Sequence, residues 1–311
     1  MRHLYLRAVM QSLWLILQLL VCLAIGFIFA KRLPHPLIQL CFKVLPWFSY
    51  LLLLSIAFEF AEIWQQLAQP MAIFQQSFLI ALSTTLGAFV CCYAAFKWIG
   101  IQPTSGRVSF DLLLNSLKNI LYALVALVLG YYVYVFTQYM SWHIQPDTWS
   151  LLLIFMLFIG IDLAFSPLDR SWLKANILLV PLGCIVGSVL AVCIYTYFSD
   201  ALSFQDLLLL SQGYGFYSMS SIVISQLKDP TLGSIALMND LFREIFAILL
   251  MYCVGWRYPR AAISAAGATA MDVSLPMVKQ ACGHDFIPHA MVSGFILSVL
   301  APIAVSVLAA I

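Results

Sequence analysis

Residues 203–227 read SFQDLLLLSQGYGFYSMSSIVISQL, two apolar arms around a polar, glycine-bearing centre, Ser211-Gln212-Gly213-Tyr214-Gly215-Phe216-Tyr217-Ser218. Each arm has about nine or ten residues, roughly 15 Å of helix and half the hydrocarbon thickness of a bilayer. Gly213 and Gly215 lower the cost of unwinding. Non-helical backbone is tolerated at that depth only where protein encloses it or it lines a watery cavity. Residues 261–282 have the same character, with Gly267-Ala268-Thr269-Ala270-Met271-Asp272-Val273-Ser274-Leu275-Pro276 at the centre. Gly267 eases unwinding, and Pro276 removes a backbone donor and clashes with the preceding turn. Paired interrupted segments are the sequence mark of a transporter binding site.

The rest of the chain sets these two segments in a membrane. Of 311 residues, 63% are hydrophobic and 9% charged, and mean hydropathy is +0.99. A soluble domain would carry about 25% charged residues. Long apolar runs cover residues 13–30, 37–58, 73–96, 113–136, 149–165, 177–198, 232–254 and 286–311. Each is long enough to cross ~30 Å of hydrocarbon. The short alternating segments of a transmembrane β-barrel are absent. The expected fold is therefore an all-α polytopic membrane protein, solvated by lipid. It has eight spanning helices plus two opposed re-entrant segments, or alternatively ten crossings with two discontinuous helices. Residues 1–12 form an N-terminal tail, 13–311 one transporter domain, and 202–311 carry the site motifs.

Loop charge orients the chain. Lys31-Arg32, Lys97 with Arg107, and Arg170 with Lys174 fall on one face, the cytoplasmic one by the positive-inside rule. Arg257 and Arg260 join that face only if residues 203–227 dip in and return, which favours the re-entrant reading. The net charge of +2 makes no case for nucleic acid, and the eight cysteines show no zinc or disulfide spacing. No metal or cofactor is expected. Neither HExxH nor GxGD occurs, so the chain is read as a transporter and not an enzyme.

Charge at membrane depth costs about 2.5–3.5 kcal/mol per residue on insertion scales and marks function. Asp240, Arg243 and Glu244 lie within residues 232–254, and Asp272 lies in the second interruption. Asp240 and Glu244 are four apart and share a helix face, while Arg243, three from Asp240, is spaced to pair with it. That structural ion pair would leave Glu244 for the pathway, with Asn239 beside it. Asp272, with Thr269 and Ser274 on either side, is placed to bind a cation directly or to cap a half-helix. Tyr214 and Tyr217 offer ring faces to an ammonium, and Ser218 offers a hydroxyl. Two carboxylates held close and out of water keep a proton when empty and release it to an entering cation. This gives proton-for-cation exchange at one site. A sodium/proton or other cation exchanger of similar architecture is the alternative. His284 and His289, at the start of the last helix, are weaker candidates for a proton relay.

Four motifs together resemble the bacterial lysine exporter family LysO. They are Gly213-Tyr214-Gly215-Phe216-Tyr217-Ser218; Asn239-Asp240-Leu241 with Arg243-Glu244; Gly267-Ala268-Thr269 with Met271-Asp272 and Leu275-Pro276; and Gly294-Phe295-Ile296-Leu297-Ser298 with Pro302. The match is dense from Gly213 to Pro302 and loose over the first two hundred residues. The resemblance implies an inner-membrane exporter of L-lysine and close basic analogues, driven by proton antiport with alternating access. It carries the family's intramembrane acidic pair onto Glu244 and Asp272.

Overall fold

The computed structural model describes residues 14–310 except 15, 16, 19, 67–69, 101–109, 143–145, 166–174, 200, 272 and 273. Arg107, Arg170 and Lys174, used above for orientation, lie outside the described residues, as does Asp272. The described chain is helical, with no strand among the described residues. Residues 20–29 form α1. They are followed by α2 (His35–Gln66), α3 (Pro70–Trp98), α4 (Phe110–Tyr139), α5 (Thr148–Phe165) and α6 (Ala175–Thr196). The second half holds α7 (Phe204–Ser211), α8 (Tyr217–Leu227), α9 (Pro230–Leu250), α10 (Pro259–Ala266), α11 (Leu275–Met277) and α12 (Ile287–Ala309).

Polarity is distributed inside out. Large apolar side chains face outward, among them Trp47, Met71, Val90, Trp98 and Tyr197, whereas Asn239, Asp240, Arg243 and Glu244 are buried. That is the pattern of a multi-pass helical protein solvated by lipid, where charge retreats to the bundle interior. Three helices among the described residues are long and apolar enough to cross a membrane alone: Met71–Trp98, Asn176–Thr196 and Ile287–Ala309. A fourth candidate is α2, bent by 42° between Leu45 and Tyr50. In α9 the 21 residues span about 32 Å. It is long enough to cross, but its three charged residues set it apart from an ordinary apolar span.

Small residues set the helix packing. A Cβ built on Gly187 of α6 would lie 2.4 Å from the Gly87 carbonyl oxygen of α3, and one on Gly183 would lie 2.7 Å from Cys92 Cβ. Gly183 and Gly187 form a GxxxG spacing, which lets two backbones approach closely where lipid gives no hydrophobic drive. Gly26 of α1 and Gly160 of α5 meet in the same way, with Cα 3.1 Å from the other's ideal Cβ.

The chain doubles back at both interruptions. Ser203 caps α7 by accepting from the Asp206 amide at 3.1 Å, and Asp229 caps α9 by accepting from the Leu232 amide at 2.8 Å. Lys228, just past α8, reaches Asp206 in the first turn of α7 at 2.9 Å. The two ends of α7–α8 are therefore side by side, and the pair is a hairpin. At the far end of α9, a Cβ on Gly255 would lie 3.2 Å from Cys282 Sγ and 3.7 Å from Ala262 Cβ. The segment from α10 to Cys282 thus also returns to where it began. The mouths of the hairpins sit at opposite ends of α9.

Candidate transport site

The tips of the hairpins touch. The Ala268 amide donates to the Tyr214 carbonyl at 3.0 Å. A Cβ on Gly267 would lie 2.4 Å from that same oxygen, and one on Gly215 would lie 3.4 Å from Thr269 Cγ2. Gly215 at φ +88° and Gly267 at φ +66° hold left-handed backbone that costs glycine little, and Tyr214 holds φ +51° between two glycines. The two interruptions read from the sequence are thus brought together, each by its own reversal of the chain.

Breaking a helix frees backbone groups, and α9 supplies partners for them. The last four carbonyls of α7 are each satisfied: Leu208 by Ser211 Oγ at 2.7 Å, Leu209 by the Gln212 amide at 3.1 Å, Leu210 by Asn239 Nδ2 at 3.2 Å, and Ser211 by Arg243 Nη1 at 3.5 Å. On the other side of the break, Asp240 Oδ1 accepts from the Gly215 amide at 3.2 Å and Oδ2 from the Ser220 hydroxyl at 2.5 Å. The cation therefore lies at the carbonyl end of α7 and the carboxylate at the amide end of α8, as helix dipoles favour. Gly213 leaves room for this, because a Cβ there would lie 2.1 Å from Asp240 Oδ2. Asp240 is the central residue of Pro230–Leu250, so the tips meet at mid-height of α9.

One expectation is refined. Asp240 and Arg243 lie within electrostatic reach of each other, as their spacing allows, but each spends its hydrogen bonds elsewhere. The freed amides and carbonyls of the break took both side chains. Arg243 instead places Nη2 3.1 Å from Cys184 Sγ and 3.1 Å from Ser188 Oγ on α6. Its guanidinium carbon lies 5.7 Å from the centroid of the Tyr214 ring. Tyr214 is fully buried, and its hydroxyl donates to Gln212 Oε1. The cation its ring meets in this structure is the protein's own arginine.

The remaining candidates divide. Glu244 is buried on α9 and lies within electrostatic reach of Tyr50 on α2. Thr269 Oγ1 donates to the Ala266 carbonyl at 2.9 Å and lies 3.2 Å from Ser274 Oγ, so the two hydroxyls flanking residues 272–273 come together. Pro276 sits in the first turn of α11. Ser218 is buried and Tyr217 half-buried at the start of α8. Asp272 lies outside the described residues, so its separation from Glu244 is not part of this geometry. His289 is buried away from the tips, accepting from Arg260 Nε at 3.3 Å near the start of α10. Cys184, Ser188 and Gln212 were not anticipated. The GxxxG spacing of Gly183 and Gly187, each followed by a small polar residue, is the signal that could have found the first two.

The family model described as Lysine exporter LysO matches residues 121–309, more than half of the chain. The chain is similar to the protein named "Lysine exporter LysO" of Escherichia coli strain K12, 28% identical over 303 residues, 94% of this chain and 97% of that protein. It is also similar to a Haemophilus influenzae protein named "Putative lysine exporter", 31% identical over 157 residues, 49% of this chain and 78% of that protein. No solved structure matches. The likeness reaches well into the first half, where the motifs alone had been loose. The chain belongs to the LysO lysine exporter family.

Proposed function

We propose that this protein is a secondary active exporter of L-lysine and close basic analogues, working by proton antiport and alternating access in the bacterial inner membrane. The observation that carries the reading is the contact of the two hairpin tips, Ala268 on Tyr214, at mid-height of a buried helix that bears Asp240, Arg243 and Glu244. Hairpins entering from opposite ends and meeting at one point give a site that either face can reach when one tip moves. Glu244 and Asp272 are the proposed carriers, binding the side-chain ammonium of lysine and protons in turn. Asp240 and Arg243 hold the first tip in shape.

The energetics fit exchange. Moving one positive charge out of a negative-inside cell costs ~2.3 kcal/mol per 100 mV. One proton entering per lysine leaving cancels that electrical cost, so the two concentration gradients set the direction. Lysine-loaded proteoliposomes test the reading. An imposed proton gradient, acid outside, should accelerate lysine efflux, and lysine efflux should alkalinise the outer medium. Efflux that ignores the gradient and moves no protons would contradict antiport.

A further inference from the structure

We infer that Arg243 and Asn239 form the subsite for the head of the substrate, Arg243 Nε donating to the α-carboxylate and Asn239 Oδ1 accepting from the α-ammonium of an amino acid. The inference rests on the proposed lysine export. It identifies what holds the end of the substrate that the acidic residues do not.

Both side chains are 0% exposed, and each keeps one polar atom without a hydrogen-bond partner, Arg243 Nε and Asn239 Oδ1. The residues are four apart on α9 and share a face. The orientation of the amide is fixed by its surroundings. Asn239 nitrogen faces two acceptors, Leu210 O and Asp240 Oδ1, each at 3.2 Å, so its oxygen is the atom left over. The guanidinium is satisfied on one side only. Nη2 has Cys184 and Ser188, and Nη1 has a single long contact at 3.5 Å. A buried polar group without a partner costs about 1–3 kcal/mol, and native proteins keep few of them. Among the described residues, the other buried unpartnered side-chain atoms are the hydroxyls of Thr85, Ser221, Ser293 and Ser306 and one ring nitrogen of His289. Among this set, Arg243 alone bears a fixed charge.

The pair has a chemical signature. A cationic donor and a neutral acceptor, one helical turn apart, match a carboxylate and an ammonium borne on one carbon. Asp240 lies within electrostatic reach of Arg243, but its oxygens are taken by the Gly215 amide, Ser220 and Asn239 Nδ2, so the atoms left for a ligand are Arg243 Nε and Asn239 Oδ1. The position is also right. Both residues bond the carbonyl end of α7, one step from the tip where the hairpins meet, and Glu244 directly follows Arg243 along α9. Access requires the tips to part, which alternating access supplies.

Competition against labelled lysine on the unaltered protein in proteoliposomes tests the subsite. Cadaverine and lysinamide keep the side-chain ammonium and lack the carboxylate. Both should compete at least roughly tenfold more weakly than lysine, while ornithine, which keeps the head, stays close to it. In Arg243→Gln, the loss of the contacts to Ser211 and Ser188 should weaken both ligands by a common factor, and lysine should in addition lose its advantage over cadaverine. If the parent binds cadaverine as well as lysine, the inference falls and the proposed function stands. It falls equally if Arg243→Gln weakens both ligands alike and leaves lysine its advantage, since Arg243 then acts only on the fold. If the parent binds no lysine, both readings fall.

Discussion

The backbone amide of Ala268 donates to the carbonyl of Tyr214 over 3.0 Å, and through that bond two hairpins with mouths at opposite ends of α9 join. Tyr214 is also the residue whose ring meets Arg243, so the contact couples the second hairpin to the buried cation of α9.

The tip contact leaves no room for a side chain at Gly267. Its φ is +66°, and an added Cβ would lie 2.4 Å from a backbone oxygen, which cannot rotate away. Gly267→Ala should therefore cost about 1–3 kcal/mol and stop lysine efflux. Thermal unfolding in detergent together with proteoliposome efflux checks this. A variant as stable and as active as the parent would show that the tips do not need to meet.

Asp240 and Glu244 should separate by function. Asp240→Asn can keep its oxygen on the Gly215 amide and turn its NH2 to Ser220, whose hydroxyl rotates to accept, but both bonds lose the charge that strengthened them. The expected loss is about 1–3 kcal/mol of stability, with transport falling as a consequence. Glu244→Gln should retain most of the stability and lose transport. Unfolding midpoints measured beside flux distinguish the two, and equal behaviour in both assays would contradict the division of roles.

Much of this site is written in the sequence. Gly213, Gly215 and Gly267 interrupt apolar arms too short to cross, and the chain does reverse there. The positive-inside argument from Arg257 and Arg260 favoured reversal over crossing, as does the Lys228–Asp206 contact. A spacing of three put Asp240 and Arg243 within electrostatic reach but said nothing of the competitors for their hydrogen bonds. Those competitors were the orphan carbonyls of α7 and amides of α8, which exist only once the helix has broken. Tyr214 was read as open to a ligand for the same reason, since nothing local indicates that α9 brings Arg243 to its ring. Cys184 and Ser188 were missed because they come from α6, some sixty residues earlier.

Opposed hairpins make a labelling prediction. In a background without the exposed Cys193 and Cys253, single cysteines replacing Ser203 and Lys228 should react with an impermeant maleimide from one side of the membrane. Cysteines replacing Arg257 and Lys279 should react from the other. All four positions are solvent-facing. Reaction of all four from one side would rule out hairpins entering from opposite faces.

The α3–α6 crossing should be intolerant of any side chain. A Cβ on Gly187 would lie 2.4 Å from the Gly87 carbonyl oxygen and 2.6 Å from Ala88 Cα. Gly187→Ala should cost about 1–3 kcal/mol through overpacking. It should also weaken transport, because Ser188, the next residue, holds Arg243. The midpoint of thermal unfolding reads the first effect and lysine efflux the second. An unchanged midpoint would mean that the two backbones are not in contact.

The proposed exchange of protons for lysine is tested most directly by recording lysine efflux and proton entry together in proteoliposomes, for the parent, Glu244→Gln and Asp272→Asn. The parent should move protons inward as lysine leaves, and each variant should lose both fluxes while remaining folded. Coupled fluxes undiminished in both variants would contradict the assignment of the two carboxylates as carriers.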